Sequence, residues 1–451
     1  MNSIARHTLI GSATALLLVP LAALRAAETP AVTLGITALT PPYLELQPGP
    51  HYWARVRIWQ GIPSITRAAN GRLWATWYTG LLGEGKGQNY DVLVTSADDG
   101  KTWSKPVAVY DPSRNFLNAD TGDPLLWTDP NGKMWWFVNR SMKVPDDVSG
   151  TCWGFCTDDP NVAKPIWNAP VLAGRGGGTL NKPFAFADGS WLHMFDCRQA
   201  KKGDPGLTRG AHVYRFAGYG KPFEDVGCCF FKDSVFSEHM VVERKDKTLW
   251  MLARTTYGIA QAESKDGGKT WKELEPFTRQ FSVGTRFFFR RLPSGNLLLV
   301  VNDHPKARSN MTAMLSKDDG KTWPHKLVLD ERESVSYPDA VECKEGPVYV
   351  IYDRGRYNKD MQEILLAKIT EADIEAGKLV SPRSCLKQTV SKLADEGGGV
   401  HYDGETIKMR AEFVRLNPDS AEAKKQLRLE AGEKAQQKTR RSVAPYCPSD
   451  R

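Results

Sequence analysis

The motif Ser-x-Asp-x-Gly-x-Thr-Trp occurs three times in this chain, at Ser96–Trp103, Ser264–Trp271 and Ser316–Trp323, with the same residue types in the same order. In such a segment the Asp side chain can accept from nearby backbone amides, Gly supplies a positive φ and Trp packs under the turn, which predicts a stapled hairpin with a structural role. The last two copies are 52 residues apart and the first two 168, leaving room for degenerate copies near Cys156–Trp167 and near Tyr214–Phe223. A second repeat is independent of the first. A turn followed by an apolar strand begins at Asn70, Asn131, Asp188, Asp246, Ser294 and Glu345, for example Asn70-Gly71-Arg72-Leu73-Trp74 and Asn131-Gly132-Lys133-Met134-Trp135. Six copies spaced by 48 to 61 residues match one four-stranded blade each, and no long helical pattern separates them. The expected fold is all-β, a six-bladed β-propeller over residues 50–395. Length alone, 451 residues, suggests two or three domains of about 150 residues. The repeats replace that estimate with one domain.

Residues at equivalent positions of successive repeats converge on one face of a propeller. Just before each inner strand stand Gln60-Gly61-Ile62-Pro63, Gly122-Asp123-Pro124, Asn181-Lys182-Pro183, Glu238-His239-Met240, Thr285-Arg286-Phe287 and Tyr337-Pro338-Asp339. Just after each second strand come Tyr78, Arg140, Arg198, Arg254, Asp303-His304 and Asp353-Arg354. Together they predict a cationic pocket with acid/base groups, suited to an anionic small molecule. His239 and His304 fit either as site groups that titrate near neutral pH or as hydrogen-bonding strand ends.

These residues resemble the sialidases. The three turns look like that family's Asp-boxes, and Glu238-His239-Met240-Val241-Val242-Glu243 leading to Arg254, then Arg308 before the third box and Tyr337 after it, follow the family's order over roughly residues 50–370. The resemblance implies a retaining exo-glycosidase acting on sialylated or other acidic glycans. Tyr337 is the implied nucleophile, with Glu238 polarising its phenol, Arg254 and Arg308 holding a substrate carboxylate, and no metal or other cofactor. A phenol suits an anomeric carbon that bears a carboxylate, because a charged nucleophile there would be repelled. Two departures stand out. The family's Arg-Ile-Pro is Gly61-Ile62-Pro63 here, leaving Arg55, Arg57, Arg286 or Arg354 as substitutes. The loop that carries the family's acid/base Asp offers Glu84 first, with Asp123 as the second candidate. Lys182 and Asp339 complete the expected polar lining. The departures keep open a propeller glycosidase or lyase acting on another acidic sugar, and a non-catalytic glycan-binding propeller.

The ends read differently. Residues 1–27 have the basic start, the apolar stretch Leu9–Leu24 and the small Ala26 and Ala27 of a cleaved export signal, which predicts a secreted or periplasmic protein with no membrane attachment after cleavage. Residues 28–49 form a lead-in. Residues 396–451 are rich in Ala, Glu, Lys, Gln and Arg and read as an exposed helix or frayed tail. Half of the formal charge of +8 falls in residues 404–451, with 11 basic and 7 acidic side chains, so the folded body shows no basic face for nucleic acid. Eight cysteines fit either an oxidising compartment with bridges or free thiols in a core.

Overall fold

The computed structural model describes residues 39–393, except 55–56, 58, 81–82, 86–87, 115–118, 143–149, 199–207, 217, 220, 278–283 and 357–361. Residues 1–27, the tail at 396–451 and Cys447 lie outside the described residues. Six antiparallel sheets follow one another along the chain, each built from consecutive strands. Their inner strands are Trp59–Arg67, Ala119–Thr128, Phe184–Ala185, Met240–Glu243, Phe288–Arg291 and Val335–Glu342. Each sheet packs on the next and the first packs on the sixth, so the ring closes. This is a six-bladed propeller, as the repeats predict.

The sequence dictates the blade locally. Every inner strand turns into its second strand through the same hairpin, in which the second-strand side returns an N–H to the residue three before: Gly71 to Ala68, Gly132 to Asp129, Gly189 to Phe186, Lys247 to Arg244, Gly295 to Leu292 and Gly346 to Cys343. Five of these donors are glycines at φ between +84° and +105°, where a Cβ is costly, and Lys247 adopts +70°. Second strands such as Leu73–Gly80 and Leu297–Asn302 are buried along their whole length because a neighbouring blade covers each face. The core is accordingly a ring of layers between blades. One layer joins blades one and two through Trp74, Trp136 and Trp153, and another joins blades two and three through Trp135, Trp191 and Phe195.

The three complete Asp-boxes connect the third and fourth strands of blades one, four and five. In the first, Asp98 accepts from Thr102 N at 2.9 Å and Thr102 Oγ1 at 2.6 Å, Ser96 Oγ accepts from Gly100 N, and Trp103 Nε1 donates to Gly100 O. Asp266 and Asp318 repeat these bonds. The Thr hydroxyl, then the backbone amide, hold all three carboxyls at about 2. The degenerate segments occupy the same connections in blades two and three, and blade six has a short helix there instead, Glu371–Ala376, capped by Thr370 and Asp373. The seven described cysteines are all free thiols. No described helix is long and apolar enough to cross a membrane.

Candidate active site

Three inner strands carry an X-Pro pair at the same height: Ile62-Pro63, Asp123-Pro124 and Tyr337-Pro338. Proline cannot donate to the ladder, and in each case the pairing skips, between Gly61 and Ser64, Gly122 and Leu125, and Ser336 and Asp339. The extruded residue adopts a positive φ, +54° at Ile62, +50° at Asp123 and +55° at Tyr337, and Glu238 does the same at +38° in the fourth blade. Such backbone costs about 1–3 kcal/mol per residue and concentrates at functional sites. Here it gathers Asp123, Glu238 and Tyr337 around one mouth.

Tyr337 is at the centre of this group. Arg254 Nη1 donates to Tyr337 Oη at 3.0 Å and to Glu238 Oε1 at 2.7 Å, so one guanidinium joins phenol and carboxylate. The other oxygen of Glu238, Oε2, is buried without a hydrogen-bond partner. Around the phenol ring stand the guanidinium carbons of Arg356 at 4.2 Å, Arg308 at 5.2 Å and Arg286 at 5.3 Å. Burial, followed by the Glu238 charge, pushes the Tyr337 hydroxyl up to about 12, against the pull of Arg254, Arg356 and Arg308. Asp123 is pushed up to about 6, first by burial and then by Glu238 and Glu84, while Arg286 and Arg198 oppose the rise. Glu84 accepts from Tyr78 Oη at 2.8 Å and pairs with Arg356 Nε at 3.3 Å. Among the described residues no cluster of His, Cys, Asp and Glu could hold a metal ion.

The structure brings together Tyr337, Glu238, Arg254, Arg308, Arg286, Asp123 and Glu84, and it places the other expected residues elsewhere. Lys182 and Asp339 form a buried ion pair at 2.7 Å in the shaft. Lys182 Nζ also donates to Ile65 O and Leu126 O, while Asp339 accepts from Ser64 Oγ and Ile65 N. These two charges tie the inner strands of blades one, two and six to the segment just before the inner strand of blade three. His239 Nε2 meets His212 O at 2.8 Å, and burial pushes its ring down to about 4, which keeps it neutral. His304 Nδ1 accepts from Lys306 N and Ala307 N, shaping the turn that delivers Arg308. Arg354 pairs with Glu363 at 2.9 Å, away from the space at Gly61. Arg286 is committed to Leu180 O and Pro63 O, and Arg57 to Tyr52 O. Arg55 lies outside the described residues.

The group that fills the space beside Gly61 is Arg356. A Cβ built on Gly61 would lie 2.9 Å from Arg356 Cγ and closer still to its Cδ. Sequence reasoning stopped two residues short of it, at Arg354. The available signal was Asp353-x-x-Arg356, a carboxylate three residues before a guanidinium that it can hold.

A family model described as "BNR repeat-like domain" matches residues 71–350, more than half of the chain. The chain belongs to the BNR repeat-like domain family. Among solved structures, this BNR-repeat propeller is similar to the Hadza microbial sialidase Hz136, with a TM-score of 0.57, 17% identity, and coverage of 71% of this chain and 67% of that one. It is also similar to the intramolecular trans-sialidase of Ruminococcus gnavus (TM-score 0.56, 14% identity, 74% of this chain and 98% of that one). The NanB sialidase of Streptococcus pneumoniae is comparable, with a TM-score of 0.55, 14% identity, and coverage of 74% and 71%. At these identities the likeness is one of fold, a sialidase-like BNR-repeat propeller. By sequence, no curated protein matches the chain.

Proposed function

We propose that this propeller is an exo-glycosidase that releases a terminal sialic acid, or a closely related sugar acid, from glycans. The observation that carries the reading is the contact set at Tyr337, where Arg254 bridges its hydroxyl to Glu238 and further guanidiniums surround its ring. A guanidinium cluster binds a carboxylate through directional, charge-assisted hydrogen bonds. With the carboxylate held there, Tyr337 Oη attacks the anomeric carbon as Glu238 accepts the phenolic proton. The bond to the aglycone oxygen breaks, and a protonated Asp123 gives that oxygen its proton. Water then cleaves the tyrosyl intermediate, with Asp123 taking the proton of the water and Glu238 returning the phenolic proton to the departing Tyr337 oxygen. Asp123 suits this role better than Glu84, because its carboxyl is pushed up to about 6 and Glu84 is already engaged by Tyr78 and Arg356.

Tyr337→Phe tests the assignment. The variant should fold and bind substrate while losing turnover by about a thousandfold or more. Normal release of free sugar acid from a sialyl glycan by this variant would remove Tyr337 from the mechanism, and an ultraviolet-absorbing unsaturated product would assign a lyase instead. We also propose export, on the strength of residues 1–27. Amino-terminal sequencing of the protein recovered outside the cytoplasm should begin near residue 28, and recovery of the uncleaved chain in the cytoplasm would refute it.

A further inference from the structure

We propose that Arg356 is the third carboxylate-binding arginine of this chain, relocated from the first blade to the segment following the second strand of the sixth, and that Gly61 is the vacancy the relocation requires. The inference rests on the reading of the mouth as a site for a sugar acid. A resemblance to sialidases places an arginine where this chain has Gly61. The backbone does not call for glycine there, since Gly61 is not among the positive-φ glycines. Space does: a Cβ would strike the Arg356 stem and lie 3.1 Å from Asp353 Oδ2. An arginine at position 61 and one at position 356 therefore exclude each other.

Arg356 is built into the site. Its Nη1 lies 3.4 Å from Asp353 and its Nε 3.3 Å from Glu84. Asp353 is itself fixed, accepting from Ile62 N at 2.8 Å and Ser336 Oγ at 2.6 Å, so the carboxylate that holds the bulge of the first blade also orients the guanidinium. That guanidinium sits closer to the Tyr337 ring than those of Arg308 and Arg286. It reaches the same phenol as Arg254 and Arg308 from the sixth blade, and a carboxylate on the carbon attacked by Tyr337 would meet all three. Glu84 already demonstrates a carboxylate on Arg356 Nε. Its positive charge also works against the burial that raises the Tyr337 hydroxyl.

The test is calorimetric titration of the full-length protein with N-acetylneuraminic acid and with its methyl ester, which lacks the carboxylate charge. Wild type should prefer the acid. Arg356→Gln, which keeps the stem and a donor for Asp353, and Arg356→Ala should each weaken acid binding by about 10- to 100-fold and leave the ester unchanged. Gly61→Arg alone should lose stability from the clash, and Gly61→Arg with Arg356→Ala should restore most of the acid preference. Arg356→Gln that folds and retains the full acid preference, while Arg254→Ala loses it, overturns the relocation and leaves Arg356 a structural partner of Asp353. Wild type without any preference for the acid, and Arg254→Ala without effect, overturns the sugar-acid reading and the relocation with it.

Discussion

Asp123 is half-buried at the mouth, and desolvation together with the charges of Glu238 and Glu84 raises its carboxyl to about 6 against the pull of Arg286 and Arg198. Its protonated form, the one able to give a proton to a leaving oxygen, is therefore the major form below pH 6 and is lost as the pH rises through that value. Turnover of a natural sialyl glycan should fall along an alkaline limb near pH 6. Asp123→Asn should cost about 10²–10⁴-fold and remove that limb, with much less loss on an aryl glycoside whose leaving group needs no proton. A pH–rate profile of the two proteins on both substrates checks this, and an unchanged limb in the variant would assign it to another group. Glu84 was the more obvious residue in the sequence because of its loop. In the structure Glu84 is set against Tyr78 and Arg356 while Asp123 stands at a bulge beside a proline, and on that ground the proposed mechanism takes Asp123 as the acid.

At the scale of the element, each Asp-box turn packs on the blade before it. A Cβ on Gly100 would lie 2.6 Å from Leu366 of blade six, one on Gly268 3.1 Å from Val213 of blade three, and one on Gly320 2.7 Å from the Trp250 indole of blade four. The motif thus works across blades, and its glycine serves both a positive φ and a close approach. Gly320→Ala and Gly295→Ala separate the two. Both sit near φ +90°, but nothing lies within 4 Å of a Cβ at Gly295. Gly295→Ala should cost about 1–2 kcal/mol for the backbone alone, and Gly320→Ala about 1–3 kcal/mol more from overpacking against a rigid indole. Denaturant unfolding of both variants gives the difference, and equal losses would dismiss the inter-blade contact. The hairpins and boxes were legible in the sequence because each is a local code, set by Gly, Asp and Trp within eight residues.

For the molecule as a whole, closure depends on contacts between distant ends of the chain. Gln60 donates from Nε2 to Gln362 O at 3.1 Å and accepts at Oε1 from Ser391 Oγ, and Lys368 and Tyr349 both bind Asp99. In the shaft, Lys182 and Asp339 join blades three and six to blades one and two. Removing one partner of a buried pair leaves an uncompensated charge, so Lys182→Met should destabilise the protein by about 3–5 kcal/mol. Adding Asp339→Asn, which removes the stranded charge and keeps an acceptor for Ile65 N, should recover part of the loss. Thermal unfolding of both proteins measures it, and a Lys182→Met protein as stable as wild type would show that the pair adds little to closure. Lys182 and Asp339 had the sequence pattern of mouth residues because charge recurred at strand starts. One-dimensional pattern does not say at which depth of a shaft a side chain ends.

The sequence by itself determined the number of blades, the turn that begins each second strand, the stapling of three outer turns, and the candidate series Glu238, Arg254, Arg308 and Tyr337. The blades and turns follow from short-range patterns repeated at a regular period, which makes local codes readable, and the residue series follows from the resemblance to sialidases. Only the tertiary structure decided that Arg356 fills the space beside Gly61, 295 positions earlier in the chain. It also raised the Asp123 carboxyl to about 6, and paired Lys182 with Asp339 in the shaft. The reason is physical: ring closure brings the first blade against the sixth, and desolvation and charge neighbours, which set each group's role, exist only once the ring is closed.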